Sequence, residues 1–171
     1  LIMMSVDALF APTDNFDFRI IYDRIDDETP TRPVVSMTTA GEAFGGFGLG
    51  AVGKTSDELY TTYTSQEQYA ALRTDAVTIH ANWQFSDNHK LALVFGDRQT
   101  DELARQEFDG VAADLFWTDR PTEENQTSYE LRLESDWSDS VRSTVGVFYW
   151  DGDYTLQQNT ALFNVINPLM G

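Results

Sequence analysis

Between Val77 and Phe95 the chain carries an alternation that restricts its fold more than any other feature. Val77, Ile79, Ala81, Trp83 and Phe85 alternate with Thr78, His80, Asn82 and Gln84. A period of two describes a strand with one apolar and one polar face. Ser86, Asp87, Asn88 and His89 then supply turn chemistry, because Asp and Asn bond their own backbone and tolerate left-handed conformations. Leu91, Leu93 and Phe95 resume the spacing of two, so the stretch reads as a hairpin. No helical spacing competes. What remains is which solvent the apolar row meets, and the rest of the chain points to lipid.

The chain before and after it repeats the pattern. Ile2, Met4, Val6, Ala8 and Phe10 form one face of a first arm, and Pro12, Thr13, Asp14 and Asn15 a turn. Phe16, Phe18, Ile20 and Tyr22 return against Asp17, Arg19, Ile21 and Asp23. The charged stretch from Asp26, with Pro30 and Pro33, ends any ladder, since proline removes donors and charge needs water. A third hairpin places Tyr129, Leu131 and Leu133 against Ser128, Glu130, Arg132 and Glu134, turns over 135–140, and returns from Val141 to Trp150. The expected links are unequal: tight Asp-containing turns, but long connections over 27–74 and 101–125 and a loop from Thr155. Within the first connection, Gln66 to Arg73 is expected to make two helical turns.

Composition sets limits on this reading. The 171 residues carry 28 acidic and 11 basic side chains, a net charge of −17, which argues against nucleic-acid partners. The absence of cysteine excludes disulfides and thiolate metal sites. No run of about eighteen apolar residues offers a transmembrane helix, and no signal peptide is legible. Alternation averages away in hydropathy, so a β-barrel leaves no such run. The chain opens and closes in mid-pattern, which we read as part of a longer polypeptide.

The expected fold is therefore all-β: an antiparallel, up-and-down transmembrane β-barrel segment of about six strands, with short periplasmic turns and long extracellular loops. Phe10, Phe16, Trp83, Phe85 and Trp137 are expected to form an aromatic girdle near the turns. At this point the segments Phe85–Leu91, Gln126–Ser135 and Val145–Trp150 resemble consecutive barrel segments of TonB-dependent outer-membrane receptors, most specifically Gln126–Leu133. The resemblance covers most of residues 1–171 and implies a partial barrel domain without its N-terminal plug, from a barrel of about 22 strands. It further implies a Gram-negative outer membrane, contacts with lipid and lipopolysaccharide, and the TonB energy-coupling protein as a partner acting through the missing part. Uptake of a scarce small molecule (an iron chelate, vitamin or glycan) follows, with no covalent chemistry and no cofactor.

The candidate functional residues fall into two groups. Aromatics of the long connections, Phe44, Phe47, Tyr60, Tyr63, Phe116 and Trp117, are candidate ligand contacts, because aromatic rings give large contact area at low entropic cost. Their bland reading is packing of loops against one another. Thr78, His80, Asn82, Gln84, Glu130, Arg132 and Glu134 are expected to face a polar lumen. Two readings compete with transport. Gly48–Thr55 matches the phosphate-cradling pattern G-x-x-x-x-G-K-[ST], with Lys54 on the outer phosphates and Thr55 on magnesium, but no buried strand precedes it. A soluble all-β binding module would hide the apolar rows between two sheets. His80 and His89, the only histidines, stand apart, and neither they nor the solvated acidic pairs have metal-ligand spacing.

Overall fold

Alternating apolar and polar side chains leave each segment able to satisfy its backbone only through neighbouring strands. A computed structural model describes residues 1–35, 58 and 61–163, and in it this pairing joins seven strands. The strands are β1 (Ile2–Thr13), β2 (Phe16–Asp27), β3 (Tyr69–Ser86), β4 (His89–Glu107), β5 (Phe116–Ser138), β6 (Val141–Leu156) and β7 (Asn159–Leu162). They form one antiparallel sheet in the order β1-β2-β3-β4-β5-β6, with β7 paired to β5. The described residues include no helix, and β1 and β6 are the unjoined ends of the sheet. All-β, antiparallel and up-and-down is therefore what the chain is.

The three tight hairpin turns are two residues each, and each begins with Asp: Asp14-Asn15, Asp87-Asn88 and Asp139-Ser140. Two-residue connections need residues that tolerate unusual backbone angles, which Asp and Asn do. In the first hairpin Met4, Val6, Ala8 and Phe10 stand opposite Arg24, Tyr22, Ile20 and Phe18, with an irregularity between Phe10 and Thr13, where Pro12 lies.

Three expectations about the connections need correction. The segment Gln66–Arg73 is not helical: β3 already begins at Tyr69, whose ring lies against Arg105. Pairing here overrides a modest helix propensity. The stretch 101–125 is not a loop either. β4 runs on to Glu107 and β5 starts at Phe116, leaving only 108–115 as the connection. Cross-strand ion pairing and ring contacts order a charged sequence that seemed to require bulk water. The stretch 156–162 is not a loop throughout either, since β6 continues to Leu156 and β7 spans Asn159–Leu162.

The interruption between β6 and β7 has a local cause. β7 pairs Phe116–Asp119 with Leu162–Asn159, and Gln157 N–H donates to Pro121 C=O at 3.0 Å. Pro121 has no N–H to return, so the ladder lapses at Gln157–Gln158 and resumes one step later.

The chain divides into two compact units. The first comprises Leu1–Asp26, Leu72–Asp101 and Glu123–Thr155; the second comprises Asp27–Ala71, Glu102–Thr122 and Leu156–Gly171. In the first, no second layer among the described residues covers the apolar rows. Val145 and Val147 are 67% and 69% exposed, and none of the large apolar side chains of that face is buried. The second unit holds a small core in which Val111, Ala113 and Leu115 are buried beside Glu107 and Thr118. Gly110 adopts a φ of 65° there, a conformation glycine takes without strain.

Candidate functional site

The first unit is built around its two faces. On one, Phe95, Tyr129 and Tyr149 form a row of ring contacts, with centroids 5.0 and 6.3 Å apart, across β4, β5 and β6. Near the turns Trp83, Phe85, His89 and Trp137 make another, at 5.6, 5.8 and 5.3 Å, and Trp137 Nε1 donates to Ser143 Oγ at 2.8 Å. Of the expected girdle, Trp83, Phe85 and Trp137 are thus linked ring to ring through His89, the first residue of β4.

Away from the turns the apolar row of each of five strands gives way to polar residues. Phe16, Phe18 and Ile20 give way to Tyr22 and Arg24, and the row from Phe85 to Val77 gives way to Asp75 and Arg73. Leu91, Leu93 and Phe95 are followed by Asp97; Leu133, Leu131 and Tyr129 by Thr127; Val145, Val147 and Tyr149 by Asp151. The boundary residues hold one another laterally. Tyr22 donates its hydroxyl to Asp75 at 2.5 Å, and Arg24 Nη1 lies 3.8 Å from the same carboxylate. Thr127 donates to Asp97 at 2.8 Å. On β1, Met4 and Ile2 continue the apolar row opposite Arg24 and Asp26.

The other face gathers the polar residues singled out from the sequence. His80 and Asn82 line a cleft of about 560 Å³ with Asp7, Leu9, Asp17 and Arg19. Arg19 pairs with Asp7, and Asn82 donates to Asp17 at 3.0 Å. Gln84 and Glu134 share a second hollow, of about 300 Å³, with Lys90 and Arg142, and Lys90 Nζ is 4.0 Å from Glu134. Thr78 lies in a third with Gly96, Arg98 and Ser128. Glu130 and Arg132 approach to 3.2 Å. Alternation places Thr78, His80, Asn82 and Gln84 on one side of β3, and Glu130, Arg132 and Glu134 on one side of β5.

The aromatic candidates divide differently. Phe44, Phe47 and Tyr60 lie outside the described residues, as does Gly48–Thr55. Tyr63 is half-buried in the connection. Phe116 and Trp117 are strand residues of β5 rather than loop residues. Phe116 packs on Phe108 at 5.0 Å, and Trp117 donates its Nε1–H to Asp114 at 2.8 Å.

Around Trp117 the second unit contains a cluster that sequence reasoning missed. Arg105 donates to Asp119 through Nε and Nη2 at 2.6 and 2.7 Å, while its guanidinium lies 5.4 Å from the Tyr69 ring centre and 5.0 Å from that of Trp117. The pairing holds the Asp119 carboxyl below its ordinary range and raises Arg105. Next on that side of β4, Glu107 accepts from the backbone N–H groups of Ser65 and Gln66. Burial first, and then the hydrogen bond to Asp109, push its carboxyl up to about 7 against the opposing pull of the two amides. The signal in the sequence was slight: opposite charges at 105 and 119 meet only once the strand register is known.

No group of three His, Asp or Glu among the described residues is placed to hold a metal ion. No known protein family, curated protein or solved structure matches the chain. The candidate site rests on its geometry: a polar, cleft-bearing face on one side of a sheet whose other side is an apolar band with a charged border.

Proposed function

We propose that this chain forms part of the transmembrane β-barrel of an outer-membrane receptor of the TonB-dependent kind, which takes up a small molecule. The supporting observation is the apolar row carried by each of β2, β3, β4, β5 and β6, which no second layer among the described residues covers. From Phe85 to Asp75 is ten steps along β3, about 33 Å of strand, and at the usual barrel tilt about 25 Å of height, which suits the outward apolar band of an outer-membrane barrel. Water is a poor solvent for such a face, and a soluble sandwich needs a second sheet that the described residues do not contain.

In this reading Thr78, His80, Asn82, Gln84, Glu130, Arg132 and Glu134 line the lumen or touch a plug. The charged border of Arg24, Asp75 and Asp97 meets lipopolysaccharide headgroups. Strands of 18, 19 and 23 residues in β3, β4 and β5 exceed the 9–11 that a bilayer requires. Their remaining length carries the Arg105 and Glu107 cluster, with Trp117, in the aqueous region where a ligand is captured. The TonB protein would act through a plug contributed by further sequence, and the work of the barrel is capture and passage rather than bond chemistry.

The test is partition. Native protein is expected in the outer-membrane fraction, and the purified chain is expected to fold into phospholipid vesicles, where brominated acyl chains quench tryptophan emission. A monodisperse, unquenched protein in plain buffer would rule the reading out.

A further inference from the structure

The second unit contains a carboxyl group for which membrane insertion has no use. Glu107 ends β4 with only 1% of its surface exposed. Its Oε1 accepts from Ser65 N–H at 3.2 Å, and its Oε2 accepts from Ser65 N–H at 3.0 Å and Gln66 N–H at 3.1 Å. Those amides belong to the segment that enters β3 from the β2–β3 connection. Two residues beyond Glu107, Asp109 is fixed by the N–H groups of Val111 at 3.0 Å and Phe116 at 2.7 Å, and its side chain is hydrogen-bonded to that of Glu107. One carboxyl therefore holds together two stretches more than forty residues apart in sequence. We propose that Glu107 is a proton-operated latch between the segment at Ser65–Gln66 and the β4–β5 connection, closed when protonated and loosened when ionised.

The described groups around Glu107 bring a second acid to it. Asp109 faces Glu107 from the connection as a second acid. Arg105, on the same side of β4, is committed to Asp119 and to the Tyr69 and Trp117 rings, and Glu67 acts on Arg105. Asp114 accepts from Trp117. Among the described residues no cation is ion-paired with Glu107. Protonated, Glu107 donates to Asp109 and still accepts an amide. Ionised, it sets two carboxylates side by side in a buried position, which is costly.

The direction follows from linkage. The closed form raises the carboxyl from its ordinary 4.5 to about 7, so the latch is tightest below 4.5 and weakens as pH rises through about 7. Such a shift changes the closing equilibrium by up to about two orders of magnitude. Hydrogen exchange on the full chain in detergent micelles, corrected for intrinsic rates, reads this at the Ser65 and Gln66 amides. Protection there is expected to fall about tenfold or more between pH 5 and pH 8. Glu107→Gln, neutral at every pH, is expected to keep high protection throughout, and Asp109→Asn to move the transition to lower pH. Equal wild-type protection at both pH values, or a Glu107→Gln chain that keeps the wild-type pH dependence, would overturn the latch. Should Glu107→Gln fail to fold, a transition that Asp109→Asn leaves in place overturns it equally.

Discussion

Arg105 and Asp119 face each other across β4 and β5 through two hydrogen bonds of 2.6 and 2.7 Å, with the guanidinium also against the rings of Tyr69 and Trp117. A planar fork satisfies this geometry and an ammonium does not. Arg105→Ala is expected to lower the local stability of this pairing by about 1–2 kcal/mol, allowing for partial solvent screening. Arg105→Lys should recover less than half of that. Hydrogen exchange at the amides flanking 105 and 119 gives the measurement. Because the pair holds the Asp119 carboxyl below its ordinary 3.8, its contribution is present above that value and is lost as pH falls through the lower, folded one.

Two strand glycines differ in what surrounds them. A Cβ on Gly146 would stand 3.0 Å from the Leu131 carbonyl oxygen and 3.1 Å from Arg132 Cγ, whereas one on Gly96 would meet only the Ser128 hydroxyl at 3.0 Å. A hydroxyl rotates away, and a paired backbone carbonyl does not. Gly146→Ala is therefore expected to cost about 1–3 kcal/mol through overpacking, and Gly96→Ala to be near neutral. Denaturant midpoints of the two variants, at unchanged slope, give the comparison.

The hairpins were legible because period two and an Asp-led turn are both local signals. Thr78, His80, Asn82 and Gln84 share one side of β3, and Glu130, Arg132 and Glu134 one side of β5, as alternation requires. Arg105, Glu107 and Asp119 were not legible, because their surroundings arise from strand pairing. In isolation 101–125 is an acidic run that resembles solvated loop. Once β4 and β5 continue past Asp101 and Glu123, opposite charges face each other and Glu107 loses its water. Phe116 and Trp117 were chosen as loop aromatics for the same reason, and pairing drew both into β5. The expected helix at Gln66–Arg73 shows the reverse: a real propensity, outweighed by backbone pairing of β3.

The break opposite Pro121 makes a prediction of opposite sign to most substitutions. Pro121→Val restores an N–H facing Gln157 and adds a β-branched residue to a strand. The ladder between β5 and the β6–β7 segment should then run without interruption. Amides from Gln157 to Leu162 are expected to exchange several-fold more slowly than in the wild type, as mass spectrometry of that peptide would report. Unchanged or faster exchange would show that the missing donor is not what separates β6 from β7.

The two faces of β3 allow the nature of the surrounding solvent to be tested within one strand. Ile79 lies in the middle of the apolar band, and His80, its neighbour, points to the opposite side beside Asp7 and Asp17. If acyl chains cover the band, Ile79→Lys places a charge near the bilayer midplane, at a cost of about 2–4 kcal/mol. His80→Lys places the same charge next to two carboxylates, where it is accommodated. Folding yield in phospholipid vesicles, read by resistance to protease, should therefore collapse for Ile79→Lys and hold for His80→Lys. Were the band exposed to water, Ile79→Lys would instead improve solubility and leave folding intact, because removing an exposed apolar side chain suppresses association. The lipid and water cases thus differ in the sign of the effect, not just its size, so this pair of variants decides which solvent the sheet was built for.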